Sequence, residues 1–196
     1  AYDIEKAKAL LAEAGWEDTN NNGVLDKVID GNVTDFTIEL TYNTGNDARK
    51  NVCLMFQEEA RKVGIDVNVT NQEWSIYLEN QKDHNFEMYY GAWISGVPPS
   101  DPKQLWHTES YNGGSNYCGF GNAESDEIIE KIRPSLDIEE QKPLYFRLLE
   151  IILEESPYLY IQAPYERIAI SKKFPEARVS IARPGYWAAG LVNSPN

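Results

Sequence analysis

The chain has 196 residues, which fits one domain of ordinary size or one large lobe of a bigger protein. Hydrophobic residues make up 42% and charged residues 25%, a composition that indicates a folded protein and excludes a disordered one. A formal net charge of −13, without any basic stripe, excludes nucleic-acid binding through phosphates and a polybasic membrane contact. No apolar run reaches the roughly 18 residues that a membrane-spanning helix needs.

The first half of the chain begins with alternating helices and strands. Residues 3–14 predict a helix that Asp3 caps. A strand over Phe36–Tyr42, a helix over residues 47–63 and a strand over residues 65–69 follow, according to the hydrophobic periodicity. Two strands joined by a helix are expected to lie parallel, through a right-handed crossover.

A further helix and strand complete this half. A helix is predicted over Glu73–Asp83, with Trp74, Tyr77 and Leu78 as its apolar stripe. The strand over Phe86–Trp93 is almost continuously apolar or aromatic, which is typical of a strand covered on both faces.

The second half opens with a long irregular segment over residues 94–122 and is predicted to be mainly helical after it. Loops of this length within a compact domain are usually functional or ligand-facing. Asp101 is expected to cap a short helix within that segment. The predicted helices are Pro102–Trp106, Ser125–Ile132 and Ile138–Glu155, and the predicted strands are Tyr158–Gln162 and Arg167–Ser171. The inward-facing residues of the two longer helices are predicted to be Ile128, Ile129, Ile132, Leu144, Tyr145, Leu148, Leu149 and Ile152. The fold class is therefore α/β, with a mixed sheet flanked by helices.

A polar loop near the start of the chain resembles the first nine positions of an EF-hand calcium loop. The candidate calcium ligands are Asp18, Asn20, Asn22, Val24 and Asp26, and Gly23 supplies the turn. Ile29 stands at the twelfth position, where the EF-hand carries a bidentate glutamate. Two interpretations remain open: a calcium site, or an Asx-turn loop held by its own side-chain hydrogen bonds.

Signals for catalysis are weak, and we expect that the chain is not an enzyme. His84 and His107 have no metal-ligand spacing around them, and no Gly-x-Ser-x-Gly elbow or P-loop is present. An enzyme that uses paired acids and a calcium-stabilised structural module are the competing classes. No cofactor is expected beyond possible Ca²⁺. Cys53 and Cys118 match no zinc or redox motif, and a buried free thiol is the default for Cys53.

The order of the motifs resembles the family 5 solute-binding proteins, which include oligopeptide, dipeptide and nickel receptors of ABC importers. The first motif is Tyr2-Asp3-x-Glu5-Lys6-Ala7-Lys8-x-Leu10-Leu11-x-x-Ala14-Gly15-Trp16, followed by the polar loop and a strand. The later motifs, in the same order, are Phe56-Gln57, Lys62-Val63-Gly64-Ile65-x-Val67, Trp74, Ala92-Trp93, Asp101-Pro102, Asn116-Tyr117, Leu144-Tyr145 and Glu154-Glu155-Ser156-Pro157. The resemblance covers residues 1 to about 171.

This resemblance implies a type 2 periplasmic-binding-protein-like lobe. Residues 1–196 would form a single domain, most of the C-terminal lobe of a two-lobed receptor that encloses its ligand between the lobes. The implied partners are a peptide ligand, the N-terminal lobe of the same protein and the permease subunits of an ABC transporter. The implied location is the periplasm or, for a lipoprotein, the cell envelope. An oligosaccharide or another small solute is the alternative ligand.

The resemblance also implies which residues face the ligand. In peptide-binding members, an aspartate after the strand that ends in tryptophan anchors the peptide amino group, and Gly96 stands at that position here. Tyr90 and Gln81 stand where some members carry basic residues for peptide carboxylates. The residues implied to face the ligand are Trp93, Trp74, Tyr90, Ser95, Gly96 and Gln81. Such aromatic and neutral polar residues suit a peptide held by its backbone or a sugar ring.

Overall fold

The computed structural model describes residues 2–94, 100–165, 167–180, 185–187 and 191. The chain divides into two compact units, Ala1–Ala92 and Trp93–Asn196. Each unit has a hydrophobic core of its own. That the whole chain is a single domain forming most of one lobe of a larger protein stays a prediction.

The first unit opens with a helix that lies on the surface. Helix α1 spans Ile4–Glu13, and the Asp3 side chain caps it by accepting a hydrogen bond of 2.9 Å from the Lys6 amide. This confirms the predicted helix and its cap. No side chain of α1 is buried, and 54% of Leu10 is exposed, so α1 adds little to the core of this unit.

A two-stranded antiparallel hairpin follows α1, and the sequence analysis did not predict it. Strands β1 (Asp26–Ile29) and β2 (Asn32–Asp35) pair with Val28 opposite Val33. Asp30 and Gly31 both have positive φ angles, 51° and 81°, which is the backbone of a type I′ turn. Aspartate followed by glycine is the turn signal that predicts such a hairpin.

A three-stranded parallel sheet forms the centre of the first unit. Strand β3 (Thr37–Asn43) lies between β4 (Asp66–Gln72) and β5 (Met88–Tyr89), and it pairs with both in the parallel direction. Helix α2 (Asp47–Arg61) connects β3 to β4, and helix α3 (Trp74–Lys82) connects β4 to β5. The predicted strand–helix–strand order and parallel pairing are confirmed.

The core of the first unit lies between α2 and the sheet. Its buried residues are Leu40, Tyr42, Cys53, Ala60 and Val67. The prediction of an apolar stripe on α3 was only partly correct, since Tyr77 is buried whereas Leu78 is 44% exposed.

The predicted strand over Phe86–Trp93 was too long. Only Met88–Tyr89 form a strand. Among the described residues β5 pairs with β3 alone, and its two residues lie opposite Leu40 and Thr41. One more backbone hydrogen bond, from the Tyr90 amide to the Thr41 carbonyl, closes the pairing at 2.9 Å. A strand with one neighbour ends where that pairing ends, however apolar its sequence.

The second unit is built from helices. Its helices are α4 (Lys103–Trp106), α5 (Ala123–Ile132) and α6 (Ile138–Glu155), with a 3₁₀ turn over Thr108–Ser110. Asn122 and Ser125 form a capping box at the start of α5, and Asp137 caps α6. Within the described ranges, no helix combines the length and apolarity that crossing a bilayer requires.

Helices α5 and α6 pack against each other around a core of aliphatic side chains. The buried members are Phe120, Ile128, Ile129, Ile132, Leu148, Ile151 and Ile152, and Leu144 and Tyr145 are partly buried against them. Leu149 was predicted to face inward but is 50% exposed, and the buried residue is Ile151. On an α-helix of 3.6 residues per turn, Leu148, Ile151 and Ile152 lie on one face, and Leu149 lies outside that face.

The prediction of two late strands, over Tyr158–Gln162 and Arg167–Ser171, was wrong. Neither segment has strand structure, although all of their residues are described. A strand forms only where a neighbouring strand accepts its backbone hydrogen bonds, and this part of the described chain offers none. Leu159 and Tyr160 are accordingly 66% and 60% exposed.

Candidate functional site

The carboxyl ends of β3, β4 and β5 meet at one edge of the parallel sheet in the first unit. In open α/β sheets this edge is where ligands bind. Side chains from α2 and α3 and the residue after β5 gather at and beside it. We refer to Arg49, Trp74, Tyr77, Gln81 and Tyr90 as the edge site.

The Tyr90 carbonyl is the hub of the edge site. It accepts hydrogen bonds from Arg49 Nη1 at 3.1 Å and from the Tyr77 hydroxyl at 2.5 Å. Burial raises the pKa of Tyr77 to about 12, so its hydroxyl stays protonated at neutral pH and can donate. The Arg49 guanidinium also donates to Asn43 Oδ1 at 2.9 Å and lies 5.5 Å from the centre of the Tyr90 ring.

Trp74 presents an aromatic surface beside this hub. Its ring stacks on that of Tyr77, with 5.9 Å between centroids and 25° between planes. Nevertheless 49% of Trp74 is exposed, which leaves apolar surface available to a ligand.

Gln81 contributes a buried amide group to the edge site. Only 8% of the residue is exposed, and its Nε2 makes no hydrogen bond of ordinary geometry within the described chain, although a weaker one to the Tyr77 hydroxyl acts to lower the pKa of Tyr77. A buried donor without an acceptor costs about 1–3 kcal/mol, so such groups in native proteins generally have a water molecule or a ligand as partner.

The second unit carries a separate aromatic group, built around Trp93. The Trp93 ring stacks on Tyr117, with 5.8 Å between centroids, and its indole N–H donates to the Tyr158 hydroxyl at 3.3 Å. Tyr158 in turn lies 4.9 Å from the Trp106 ring. Burial raises the pKa of Tyr158, which keeps it a neutral phenol. Trp93 itself is 46% exposed.

Asn116 fixes the loop that carries Tyr117. It is 1% exposed, and its Nδ2 donates to the carbonyls of His107 at 3.1 Å and Phe120 at 2.7 Å. Its Oδ1 accepts from the Phe120 amide at 3.0 Å. Every polar atom of this side chain is thus used to hold the loop closed.

The residues predicted from the sequence to face the ligand are divided between these groups. Trp74, Gln81 and Tyr90 come together in the first unit, around Tyr77, and Trp93 lies in the second unit. Ser95 and Gly96 lie outside the described residues. That these six residues bind the ligand stays a prediction.

Sequence reasoning missed Arg49, Tyr77 and Tyr158 as members of these groups. For Arg49 a signal did exist. It lies three residues after the cap Asn46, in the first turn of a helix that directly follows a central strand. That position lies at the carboxyl edge of a parallel sheet.

The loop proposed as a calcium site is closed by hydrogen bonds within the chain. Asp18 accepts from the amides of Asn22 and Gly23, at 3.1 and 3.0 Å. Asn22 Oδ1 accepts from the Val24 amide at 2.8 Å. The buried Asp26 carboxylate accepts from the Thr19 amide at 2.9 Å and from its hydroxyl at 2.7 Å. These bonds support the Asx-turn interpretation, which the chelator experiment below tests against the calcium interpretation.

The candidate catalytic groups of the described chain include a buried histidine and two free cysteines. Across the described part of the chain, no cluster of three or more histidine, cysteine, aspartate or glutamate side chains is placed to hold a metal ion. The His107 ring is buried, and its Nδ1 accepts from the Glu109 amide at 3.1 Å. Cys53 and Cys118 are free thiols, and burial raises the pKa of each, which disfavours the reactive thiolate.

The chain belongs to the bacterial extracellular solute-binding proteins, family 5. The family model, described as "Bacterial extracellular solute-binding proteins, family 5 Middle", matches residues 1–116. The oligopeptide-binding protein AppA of Bacillus subtilis is 33% identical over 172 residues, which cover 86% of this chain. The chain spans only 31% of the length of that relative.

Solved structures agree with this assignment and with the predicted fold class. AppA of Bacillus subtilis in complex with a nonapeptide matches with a TM-score of 0.74 and 33% identity, over 80% of this chain and 31% of that one. The oligopeptide-binding protein of Thermus thermophilus with a pentapeptide has a TM-score of 0.70 and 28% identity, over 79% and 28%. NikA of Brucella suis with Fe(III)-EDTA has a TM-score of 0.65 and 29% identity, over 81% and 31%.

Removal of calcium is expected to leave the stability of the chain unchanged. The oxygen atoms of the 18–26 loop already accept hydrogen bonds from within the chain, so we expect melting temperatures in 1 mM CaCl₂ and in excess EGTA to agree within about 1 °C. A site saturated 100-fold above its dissociation constant would add about 2.7 kcal/mol. A drop of several degrees in EGTA, restored by Ca²⁺ but not by Mg²⁺, would establish the calcium site.

Proposed function

We propose that this chain is the ligand-binding part of a peptide receptor for an ABC importer. Its ligand would be a peptide, enclosed between the lobe that this chain contributes and an N-terminal lobe of the same protein. The receptor would deliver the peptide to the permease subunits outside the cytoplasm, as a periplasmic protein or a lipoprotein. It would bind its ligand without transforming it.

The observation that carries this proposal is the edge site. An exposed Trp74 ring, a buried amide donor on Gln81 and the Arg49 guanidinium gather where ligands enter parallel sheets. Aromatic surface with a few fixed polar groups is the usual make-up of a small-ligand site. Relatives that are 33% and 28% identical are oligopeptide-binding proteins whose structures contain a nonapeptide and a pentapeptide.

Substitution of Trp74 by alanine tests the proposal. We expect the full-length receptor to bind a mixture of random pentapeptides in calorimetry, and Trp74→Ala to weaken that binding by roughly 10- to 100-fold, the loss usual for a central aromatic contact. Trp187→Ala is the matched control, because Trp187 is 59% exposed and lies in the other unit, outside the site.

The same titration distinguishes a peptide ligand from the alternative, an oligosaccharide. An oligosaccharide mixture replaces the peptides in a second series. Binding of the sugars and not of the peptides would overturn the peptide proposal while leaving Trp74 as a binding residue. Equal affinities for peptides in the wild type and in Trp74→Ala would show that the edge site is not part of the binding surface.

A further inference from the structure

The sequence contains two asparagine–glycine pairs, Asn22-Gly23 and Asn112-Gly113. In such a pair the backbone nitrogen of the glycine can attack the asparagine side chain to close a five-membered ring, and glycine has no side chain that hinders the approach. Both pairs are exposed, and both glycines have positive φ angles, 88° and 84°. Apart from the adjacent residues, no atom lies within 4 Å of the place that a Cβ would take at either glycine. Steric access therefore does not distinguish the two pairs.

Hydrogen bonds hold the Asn22-Gly23 pair. The Gly23 amide donates to Asp18 Oδ2 at 3.0 Å. Asn22 Oδ1 accepts from the Val24 amide at 2.8 Å, and Asn22 Nδ2 donates to Asp35 Oδ2 at 3.1 Å. The nitrogen that would attack and both polar atoms of the side chain that would be attacked are thus engaged.

The Asn112-Gly113 pair has none of these restraints. Neither the Asn112 side chain nor the Gly113 amide forms a hydrogen bond with any residue that the structure describes. The pair follows the 3₁₀ turn over Thr108–Ser110 and precedes the buried Ser115. The attacking nitrogen and the side-chain amide are therefore free to approach each other.

The loop around Asn112 is held at both of its ends. The Ser115 amide donates to the Gln104 carbonyl at 3.0 Å, and the Asn116 amide donates to the Ser110 carbonyl at 3.3 Å. Gly114 lies so close to Ser110 that a Cβ at this position would be 2.5 Å from the Ser110 carbonyl oxygen. The unrestrained pair is thus the tip of a loop that is otherwise fixed, and chemical change concentrates at such tips.

We infer that Asn112 is a site of spontaneous modification, at which the side-chain amide is converted to a carboxylate because the structure leaves this pair unrestrained. The Gly113 nitrogen loses its proton to solvent and forms a bond to Cγ of Asn112. The bond from Cγ to Nδ2 breaks, and ammonia leaves with a proton taken from solvent. The product is a cyclic imide.

Water is the second reactant, and it opens the imide at either of its two carbonyl carbons. Cleavage of the bond between Cγ and the Gly113 nitrogen gives aspartate. Cleavage of the bond between the α-carbonyl carbon and that nitrogen gives isoaspartate, in which the main chain runs through Cγ. This inference is independent of the proposed function, since it needs no ligand.

The modification alters the loop that carries Tyr117. Each product has one more negative charge than asparagine, and isoaspartate adds one methylene group to the backbone four residues before Asn116. Tyr117 stacks on Trp93 in the aromatic group of the second unit. The protein is thus expected to change with age at a loop next to this group.

Peptide mapping of the aged full-length protein tests the inference. The protein is incubated at mildly alkaline pH, digested with trypsin at intervals and analysed by mass spectrometry, in which fragment ions locate each amide that has become a carboxyl group. We expect Asn112 to react roughly tenfold faster than Asn22 or more, because the loss of one or two hydrogen bonds at Asn22 corresponds to about that factor. Asn116 lies in the same tryptic peptide, is 1% exposed and should stay unmodified.

Two further measurements separate the hydrogen bonds from the flanking sequence. In denaturing urea the rates at Asn112 and Asn22 are expected to converge, because unfolding removes the bonds that protect Asn22. Asp18→Ala removes the acceptor of the Gly23 amide, so it is expected to accelerate the reaction at Asn22 and to leave Asn112 unchanged. Asn112→Gln is the negative control, since the longer side chain cannot close a five-membered ring.

Two results would overturn the inference. The first is a rate at Asn112 in the folded protein that does not exceed the rate at Asn22. The second is a difference between the two sites that persists in urea, since it would then come from the neighbouring residues in sequence and not from the structure. The urea measurement decides the outcome if Asp18→Ala fails to fold.

Discussion

Replacement of Ile129 by alanine is expected to lower the free energy of unfolding of the second unit by about 3–4 kcal/mol. Ile129 has no exposed surface and lies at the contact between α5 and α6. Removal of its side-chain carbons takes away apolar burial and leaves a cavity that neighbours on two rigid helices fill only partly. Such a loss is a large fraction of the stability of a typical domain.

Urea denaturation of the Ile129→Ala variant measures this effect. The midpoint should fall while the slope against urea stays unchanged, because the surface exposed on unfolding is nearly the same. Leu149→Ala is the matched control: Leu149 lies on α6, is 50% exposed and should cost less than about 1 kcal/mol. Equal losses for the two variants would show that α5 and α6 do not pack through the face described above.

Replacement of Asn116 by alanine is expected to destabilise the same unit by about 2–4 kcal/mol. The change removes three hydrogen bonds and leaves the carbonyls of His107 and Phe120 and the amide of Phe120 without this partner. Buried backbone groups that lose their partner carry the full desolvation penalty of about 1–3 kcal/mol each, partly relieved by water that enters. Asn112→Ala in the same loop is the control, because Asn112 is exposed and should be neutral.

The Asn116 variant should also disturb the aromatic group of the second unit. Tyr117 follows Asn116 directly and stacks on Trp93, so a looser loop frees the Trp93 ring. We expect the near-ultraviolet circular dichroism to lose intensity, in the same bands that Trp93→Phe alters. A stable variant with unchanged near-ultraviolet bands would mean that Asn116 does not hold this loop.

The local pattern predicted those parts of the fold that depend on neighbours in sequence. Helix α6 has the predicted bounds, Ile138–Glu155. Its amphipathic pattern and the cap Asp137 are local features of the sequence, and they determine where this helix begins and ends. The β3–α2–β4 unit was predicted for the same reason, together with its parallel pairing. Only the β1–β2 hairpin was missed although its signal, Asp30-Gly31, is local.

The errors concern features that depend on distant partners. Strand β5 is two residues long, and Tyr158–Gln162 forms no strand, because apolar character does not supply a neighbouring strand. For the edge site, the predicted Trp74, Gln81 and Tyr90 do lie near one another. The place of Arg49 in the first turn after β3 was a local signal, but its bonds to Asn43 and Tyr90 were not predictable. Those bonds span α2, β3 and the end of β5, and no spacing along the chain encodes them.

Ligand identification by native mass spectrometry tests the central claim most directly. The full-length protein is purified from a bacterial host without refolding and analysed together with any ligand it has retained. It is then exposed to an equimolar mixture of random pentapeptides and oligosaccharides. We predict that the retained and selected ligands are peptides. Selection of oligosaccharides, or a protein that retains and selects neither class, would contradict this prediction.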